Sequence, residues 1–290
     1  MVHSAEIGIY AALCGRFDLV QLPVLPLIER NRGRWRQFVS ATYADEFAES
    51  HAKQMVVREA IGAGVPSAGV GCGFSRGMLD RIAARHGAPF DEASVTEDYE
   101  LGLRIREMGG RGIFVRVPAS SGGGMVAVRA HFPDTIAAAV RQKARWQAGI
   151  ALSGWTRLGW RGGIAEYWMR FRDRRAILAA LVLLCAYVSG AGLLILSLFG
   201  HAPRLGASEQ GLLALCTILM LWRLLVRAAF VAHCYGWAEG LASIPRVLLA
   251  NFIAMASARR ALQSYLGLAR GAPLVWDKTD HSFPRAMPAE

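Results

Sequence analysis

Residues 94–110 read SVTEDYELGLRIREMGG, and the first half of the chain is organised around this stretch. Ser94 and Glu97 have the spacing of a capping box, in which two side chains bond free amides at a helix start. Apolar residues then recur at helical intervals up to a glycine pair: Leu101, Ile105 and Met108, then Gly109-Gly110. The pattern predicts a helix with Glu97 and Asp98 in its first turn, where the helix dipole favours ionised carboxylates. Such a carboxylate can take a proton or hold a cation, although a lone Thr-Glu-Asp triplet is more often only a cap.

A second pattern, QKARW, occupies residues 142–146. Gln142, Arg145 and Trp146 are spaced i, i+3 and i+4, so one helical face carries an amide, a guanidinium and an indole. A guanidinium is planar and always charged, which suits a diphosphate. An aromatic face beside it suits the C–H face of a sugar ring. Taken alone, this pattern is usual for a surface helix with one buried aromatic residue.

The composition is that of a membrane protein with one modest domain. The chain has 290 residues, of which 53% are hydrophobic, and a net charge of +11. The apolar excess lies after residue 175, so it indicates membrane segments and not a uniformly apolar core. The charge favours a cytoplasmic face near anionic headgroups, with anionic substrates as an alternative; no nucleic-acid signature is present. The sequence has five cysteines but no C-x-x-C pair. This pattern argues against a disulfide framework or a zinc site.

The second half of the chain predicts interfacial and membrane-spanning helices. Residues 154–175 mix aromatics with arginines and predict an amphipathic helix in the membrane interface. Two spans follow within 176–243, and the second carries Arg223 and Arg227, which either face a protein interior or extend toward a membrane surface. Residues 244–290 are interpreted as an interfacial helix, over 244–266, and a cytosolic tail.

Local patterns predict further elements in the first 153 residues, which we interpret as a cytosolic α/β domain. The predicted strands cover Asp18 to Leu25 and Arg111 to Val117, and the predicted helices cover Ala44 to Ile61 and Thr135 to Ala151 with Asp134 as N-cap. Residues 29–36 predict a charged surface loop, and residues 118–124 a Ser/Gly loop that is either a gate or a plain linker. In the segment from Pro66 to Phe74 the alternating glycines predict either a structural turn or a backbone open to phosphate or a sugar.

The two motifs, in this order and directly before apolar spans, resemble those of the processive, membrane-integrated family 2 glycosyltransferases, the group of the cellulose and hyaluronan synthases. The closest subtype is a bacterial enzyme of the inner membrane. Further stretches carry the resemblance: VQLPVLPL (20–27), DEFAESHAK (45–53), VPSAGVGCGFSR (65–76) and VWDKTDHSFP (275–284). The resemblance implies the C-terminal part of a GT-A catalytic domain, followed by transmembrane and interfacial helices.

The resemblance also implies roles for particular residues. Asp98 would be the general base of an inverting sugar transfer, with Glu97 beside it. Gln142 and Arg145 would bind the donor diphosphate. The acceptor side would comprise Trp146, Gly71, Gly73 and Arg76. The implied partners are a nucleotide-sugar donor, a saccharide or lipid acceptor, the lipid bilayer of the bacterial inner membrane and an envelope-complex protein, with the catalytic part facing the cytosol.

The family's donor site also binds Mg²⁺ or Mn²⁺ through an Asp-x-Asp motif, which is absent from this sequence. The motif would fall just before residue 1, so we expect a chain truncated at its N-terminus or a start assigned to an internal Met. The alternative is a non-catalytic membrane scaffold, a receptor-assembly component that keeps part of a glycosyltransferase-like domain. Retention of both motifs weighs against the scaffold, which has no need of them.

Overall fold

The computed structural model describes residues 2–28, 30–119, 124–201 and 203–271. The helices of its first part are α1 (Glu6–Leu13), α2 (Arg34–Glu49), α3 (Met55–Ala60), α4 (Arg76–His86), α5 (Glu97–Glu107), α6 (Ile136–Gln147), α7 (Gly154–Leu158) and α8 (Ile164–Arg174). The strands are β1 (Leu19–Gln21), β2 (Val24–Pro26), β3 (Cys72–Phe74), β4 (Gly112–Phe114) and β5 (Val128–Ala130). Three long helices complete the described chain: α9 (Ala176–Leu198), α10 (Ala207–Tyr235) and α11 (Trp237–Ala269). The predicted combination of an α/β domain with C-terminal apolar helices is confirmed.

The domain is built on β1, which lies in the centre of a three-stranded sheet. It pairs antiparallel with β3 and parallel with β4, with Leu19 opposite both Phe74 and Gly112. Successive strand residues point to opposite faces of a sheet. Leu19 therefore packs into a core with α3, α4 and α5, whereas Val20 packs into a second core covered by α1. A two-stranded parallel pair, β2 with β5, extends the structure.

Helix α5 is held against the first core by its apolar face. Leu101 and Ile105 belong to this core and are almost completely buried. Burial of such a side chain contributes roughly 1.5–3 kcal/mol each. The helix ends where predicted, because Gly109 adopts a φ of +79°, which other residues rarely adopt.

Several predicted boundaries are wrong. The strand over 18–25 is divided into β1 and β2, and the charged loop over 29–36 is largely a 3-10 turn (Arg30–Arg32) and the start of α2. The helix predicted over 44–61 therefore begins earlier, at Arg34. A π-helical turn (Ser50–Gln54) divides it into α2 and α3. Part of the Ser/Gly loop and the predicted cytosolic tail lie outside the described residues.

Two predicted helix caps are also wrong. Ser94 does not begin α5, because the N-cap is Thr96, and the Ser94 hydroxyl instead donates to Glu100 Oε1 at 2.7 Å. Asp134 does not cap α6, because Thr135 accepts the bond from the Ala138 amide at 3.4 Å. The Asp134 carboxylate is oriented instead toward arginines at the start of α2: Arg32 at 3.5 Å and Arg36 at 3.6 Å. The attraction of the Asp134 carboxylate to these arginines is therefore favoured over a cap on α6.

The last three helices, α9, α10 and α11, are each long and apolar enough to cross a membrane. α9 coincides with the first predicted span, and α10 contains the second. α11 begins at Trp237, before the predicted boundary at 244, and continues through Pro245. It packs against α2 and α6 of the domain as well as against α9 and α10. Its predicted location in the interface stays a prediction.

Residues 154–175 form two helices, α7 and α8, and not the single helix predicted. A glycine-containing break, 159–163, separates them. The exposed face of α8 is apolar, whereas Arg170 and Arg174 are buried. The proposed interfacial location of this segment is a prediction that the fold leaves open.

Candidate active site

The first turn of α5 carries the two carboxylates of the Thr-Glu-Asp motif. Asp98 Oδ1 accepts a hydrogen bond from the Tyr99 amide at 2.8 Å. Burial raises the pKa of Asp98 above its ordinary value, and the negative charge of Glu97 also raises it. The Tyr99 amide and the Arg145 guanidinium act in the opposite direction. The result is a carboxylate that binds a proton more readily than an exposed aspartate does, which is a property that a general base needs.

The two sequence motifs meet in the structure, although about 45 residues separate them along the chain. Arg145 Nη1 donates a hydrogen bond to the carbonyl oxygen of Val95, 3.2 Å away. At Gly149, just after α6, a Cβ atom would overlap the side chain of Thr96. The absence of a side chain at this glycine therefore lets the end of α6 approach the start of α5.

Several buried polar atoms on these motifs have no hydrogen-bond partner among the described residues. They are Thr96 Oγ1, Glu97 Oε2, Gln142 Oε1 and Arg145 Nε. Buried polar groups are normally paired, because leaving one unpaired costs about 1–3 kcal/mol. A polar ligand bound at these motifs would supply the missing partners.

Comparison with known proteins gives a family and two relatives for this chain. The family model described as glycosyl transferase family group 2 matches residues 7–255. The chain belongs to this glycosyltransferase family. Two relatives are bacteriophage adsorption protein B of Escherichia coli (strain K12) and bacteriophage N4 adsorption protein B of Escherichia coli O157:H7; each is 36% identical over 98% of this chain. The chain spans 41% of the length of each relative.

Glycosyltransferases of this family commonly use a divalent metal. Among residues 2–28, 30–119, 124–201 and 203–271, no group of three or more His, Cys, Asp or Glu side chains is arranged to hold a metal ion. The described residues therefore supply no complete set of side-chain ligands for Mg²⁺ or Mn²⁺.

The glycine-rich segment, 66–74, packs closely against α5 at Gly69, whereas the acceptor roles implied by the resemblance fall on Gly71 and Gly73. A Cβ atom on Gly69 would come within 2.5 Å of Asp98 Oδ2, and one on Gly102 within 2.5 Å of the Ser67 amide nitrogen. Gly69 also has a φ of +72°, which disfavours any other residue. The glycosyltransferase therefore presents bare backbone directly to its candidate base.

A buried glutamine holds this backbone in place. Gln21 is completely buried in β1, and its Nε2 donates to the carbonyls of Val70 at 2.9 Å and Gly71 at 3.1 Å. Its Oε1 accepts from the Ala68 amide at 2.9 Å. The signal in the sequence was a single amide inside an apolar strand, because a buried polar side chain must find partners.

The glycines assigned to the acceptor side pack against the protein itself. A Cβ atom on Gly71 would come within 2.7 Å of Val128 Cγ2, and one on Gly73 within 2.9 Å of the Tyr10 ring. Arg76 begins α4, and its side chain is 94% exposed, with Asp80 3.9 Å away. Contact of these residues with an acceptor stays a prediction.

The Trp146 side chain packs against α2. Its ring belongs to an aromatic cluster, with ring centroids 6.1 Å from Tyr43, 6.3 Å from Phe47 and 6.4 Å from Phe132. The ring is only half-buried, so part of its surface remains open. Stacking of an acceptor sugar on this ring also stays a prediction.

The residues after the motif fasten α5 to the helices that precede the first membrane segment. Glu100 Oε1 accepts from Arg157 Nε of α7 at 2.7 Å. The Tyr99 hydroxyl donates to Asp173 Oδ2 of α8 at 2.6 Å, and Arg58 donates two bonds to the same carboxylate, at 3.0 and 2.8 Å. Sequence reasoning missed these contacts, because their partners lie 57 to 115 residues away.

Proposed function

We propose that this chain forms the base and acceptor side of a membrane-bound inverting glycosyltransferase. The enzyme would move a sugar from a nucleotide-diphosphate donor to a saccharide or lipid acceptor. The observation that carries the proposal is the Asp98 carboxylate, which is half-buried beside Glu97, has a raised pKa and faces the bare backbone of Gly69. Such a group is placed to take a proton and has little other purpose in the fold.

In this proposal Asp98 removes the proton from an acceptor hydroxyl as that oxygen forms a bond to the anomeric carbon of the donor sugar. The bond from the anomeric carbon to the diphosphate breaks on the opposite face, and its electron pair leaves with the nucleotide diphosphate. The configuration at that carbon therefore inverts. Glu97 helps to keep the pKa of Asp98 high enough for proton transfer.

Two polar side chains would stabilise the departing diphosphate. Arg145 and Gln142 both have a buried atom free to bond a ligand, Nε and Oε1 respectively. The cationic Arg145 supplies a preorganised charge where negative charge develops, and Gln142 completes the polar lining. On the acceptor side, the family resemblance assigns contact to Trp146 and to the residues 71, 73 and 76.

The proposed location is the bacterial inner membrane, with the domain in the cytosol. Arg172, Arg174 and Arg175 precede α9, and short loops rich in Arg or Lys remain on the cytoplasmic side. A nucleotide-sugar donor is made in the cytosol, so this orientation gives the site access to it.

The direct test is release of UDP from a panel of UDP-sugars, with Mg²⁺ or Mn²⁺ present. The protein is expressed from its complete gene and assayed in membranes. Asp98→Asn should lower release about 10²- to 10⁴-fold, the usual contribution of a general base. Asp80→Asn, which alters an aspartate that is 71% exposed, is the matched control and should leave the rate unchanged. An Asp98→Asn rate within threefold of the unmodified rate would eliminate Asp98 as the base.

A second candidate function is favoured by the names of the relatives, which are called bacteriophage adsorption proteins. The chain would then act as a membrane scaffold that holds an envelope protein partner. Phage adsorption to cells carrying Asp98→Asn separates the two proposals. Adsorption that persists after sugar transfer is lost supports the scaffold, whereas loss of both makes sugar transfer the basis of adsorption.

A further inference from the structure

A cavity of about 280 Å³ lies at the opposite end of α5 from Asp98. Its walls are the C-terminal ends of α4 and α5 and the N-terminal part of α8. Glu107, which lines the cavity, lies about 14 Å from Asp98 along the helix axis, at about 1.5 Å per residue. The cavity is therefore separate from the candidate active site.

Positive charge dominates the lining of this cavity. Its arginines are Arg85, Arg104, Arg106, Arg161 and Arg170, against two carboxylates, Glu107 and Glu166. The excess is three positive charges. Like charges held this close repel one another unless an anion neutralises them. His86 also lines the cavity. Partial desolvation lowers the pKa of its imidazole, and the positive charges of Arg104 and Arg85 lower it further.

Ion pairs within the protein neutralise only some of these arginines. Arg170 Nη2 bonds Glu107 Oε1 at 2.8 Å, and Arg104 Nη2 lies 3.4 Å from Glu100 Oε2. Arg85 and Arg161 are exposed at the mouth, and neither forms an ion pair with a carboxylate of the described residues. Arg170 is 1% exposed, and its buried Nε has no hydrogen-bond partner among those residues. The cavity thus offers two free guanidiniums at its mouth, whereas the Nε of Arg170 lies 3.9 Å from Glu166 Oε2.

The helix that forms one wall of the cavity also carries an exposed apolar stripe. Its members are spaced i, i+3, i+4 and i+7 along α8: Ile164, Tyr167, Trp168 and Phe171. Ile164 is 91% exposed. A stripe of this kind, with aromatic residues and adjoining arginines, is typical of a helix that lies in the surface of a bilayer. After Arg175 the chain continues directly into the apolar helix α9.

We infer that this cavity binds the phosphate of an anionic phospholipid headgroup, with Arg85 and Arg161 as its principal contacts. The guanidinium fork matches two phosphate oxygens, and the acyl chains would lie along the apolar stripe of α8. A soluble phosphate would use the same guanidiniums but would gain nothing from the stripe. The inference does not depend on glycosyl transfer.

The test measures binding of dioctanoyl phosphatidylglycerol to the full-length protein in detergent. Binding is detected by titration and by the change in the thermal unfolding temperature of the protein. Dioctanoyl phosphatidylcholine and inorganic phosphate are the comparison ligands. Arg85→Ala and Arg161→Ala should each weaken the anionic lipid about fivefold, the equivalent of about 1 kcal/mol for an arginine near a charged membrane surface. Arg16→Ala, an exposed arginine on the α1–β1 turn, is the matched control and should leave binding unchanged.

Each other outcome overturns the inference. Equal affinity for phosphatidylcholine would show that the acyl chains alone bind. Equal affinity for inorganic phosphate would assign the cavity to a soluble anion. Lipid binding that is unchanged in both cavity variants would place the lipid elsewhere. The unliganded unfolding temperatures of these variants should match that of the unmodified protein, because neither arginine is ion-paired, so a folding defect is distinguished from lost binding.

Discussion

Two pairs of carboxylates on helices of the domain have opposite surroundings. Asp45 and Glu49 in α2 are almost completely buried and contact arginines from the last two helices. Arg246 donates to the two oxygens of Asp45, at 2.9 and 2.7 Å, and Arg227 donates to Glu49 at 3.2 Å. Burial raises the pKa of Asp45, but the nearby arginine charges all lower it.

The second pair, Glu97 and Asp98, has no such compensation. The neighbour of Asp98 is another carboxylate, and Arg145 acts on it without forming an ion pair within 4 Å among the described residues. Glu97 Oε2 is buried without a hydrogen-bond partner in the same part of the chain. The ion pairs of Asp45 and Glu49 therefore join the domain to α10 and α11. Glu97 and Asp98 have no arginine in an ion pair with them among the described residues, as the proposed role of Asp98 requires.

The largest expected effect is on the compensated pair. Asp45→Asn removes the carboxylate that accepts two bonds from the buried Arg246 guanidinium, which keeps Glu239 Oε2 at 2.7 Å as its remaining anion. The free energy of unfolding should fall by about 3 kcal/mol, the lower end of the range for breaking a buried ion pair. Thermal or denaturant unfolding in detergent measures this change. Asp98→Asn should stabilise the protein or leave it unchanged, because it removes a buried charge that has no ion-pair partner. A larger loss of stability in Asp98→Asn than in Asp45→Asn would reverse the comparison.

A smaller effect is expected at the backbone that faces the base. Gly69→Ala would insert a methyl group against Asp98 Oδ2, and the rate of sugar transfer should fall roughly 10- to 100-fold from the displaced carboxylate. Gly62→Ala is the matched control, because Gly62 has the same φ of +72° and nothing within 4 Å of its Cβ position. Both variants should lose a similar amount of stability, about 1–3 kcal/mol from backbone strain. Equal rates in the two variants would exclude a role for the Gly69 contact.

The rate of sugar transfer should depend on pH through Asp98, whose pKa is raised above its ordinary value by burial. The base acts when ionised, so the rate falls as the pH drops through this pKa. Glu97→Gln removes a charge that raises it and should shift the acid limb of the kcat/KM profile to lower pH. Arg145→Gln removes a charge that lowers it and should shift that limb to higher pH. Shifts in the same direction would contradict the assigned electrostatics.

The smallest effect is expected at the edge of the compensated pair. Arg223 is 65% exposed, 3.5 Å from Glu49, so Arg223→Ala should cost below about 1 kcal/mol of unfolding free energy. Arg227→Ala, at a buried position on the same helix, should cost several times more. Similar losses of unfolding free energy in these two variants would show that burial does not determine how much each ion pair stabilises the protein.

Local features of this protein were predictable from the sequence. Helix α5 follows from apolar residues repeated every three or four positions and from the glycines after it, and α9 follows from an uninterrupted apolar stretch. Motif spacing singled out Asp98, Gln142 and Arg145 as candidates, and the family resemblance supplied the roles proposed for them. These signals act within one or two helical turns, so residues near in sequence carry all the information.

Only the tertiary structure decided what depends on distant partners. The sequence left open whether Arg227 faces protein or membrane surface, and the structure places it against Glu49, 178 residues earlier. Asp45 and Arg246, 201 residues apart, form the buried pair that joins domain and membrane helices. Likewise, the choice of Gly69 as the glycine that faces Asp98 depends on how Gln21 holds the intervening turn. A buried charge or a bare backbone acquires its role from the groups that the fold brings to it, and spacing along the chain does not encode those groups.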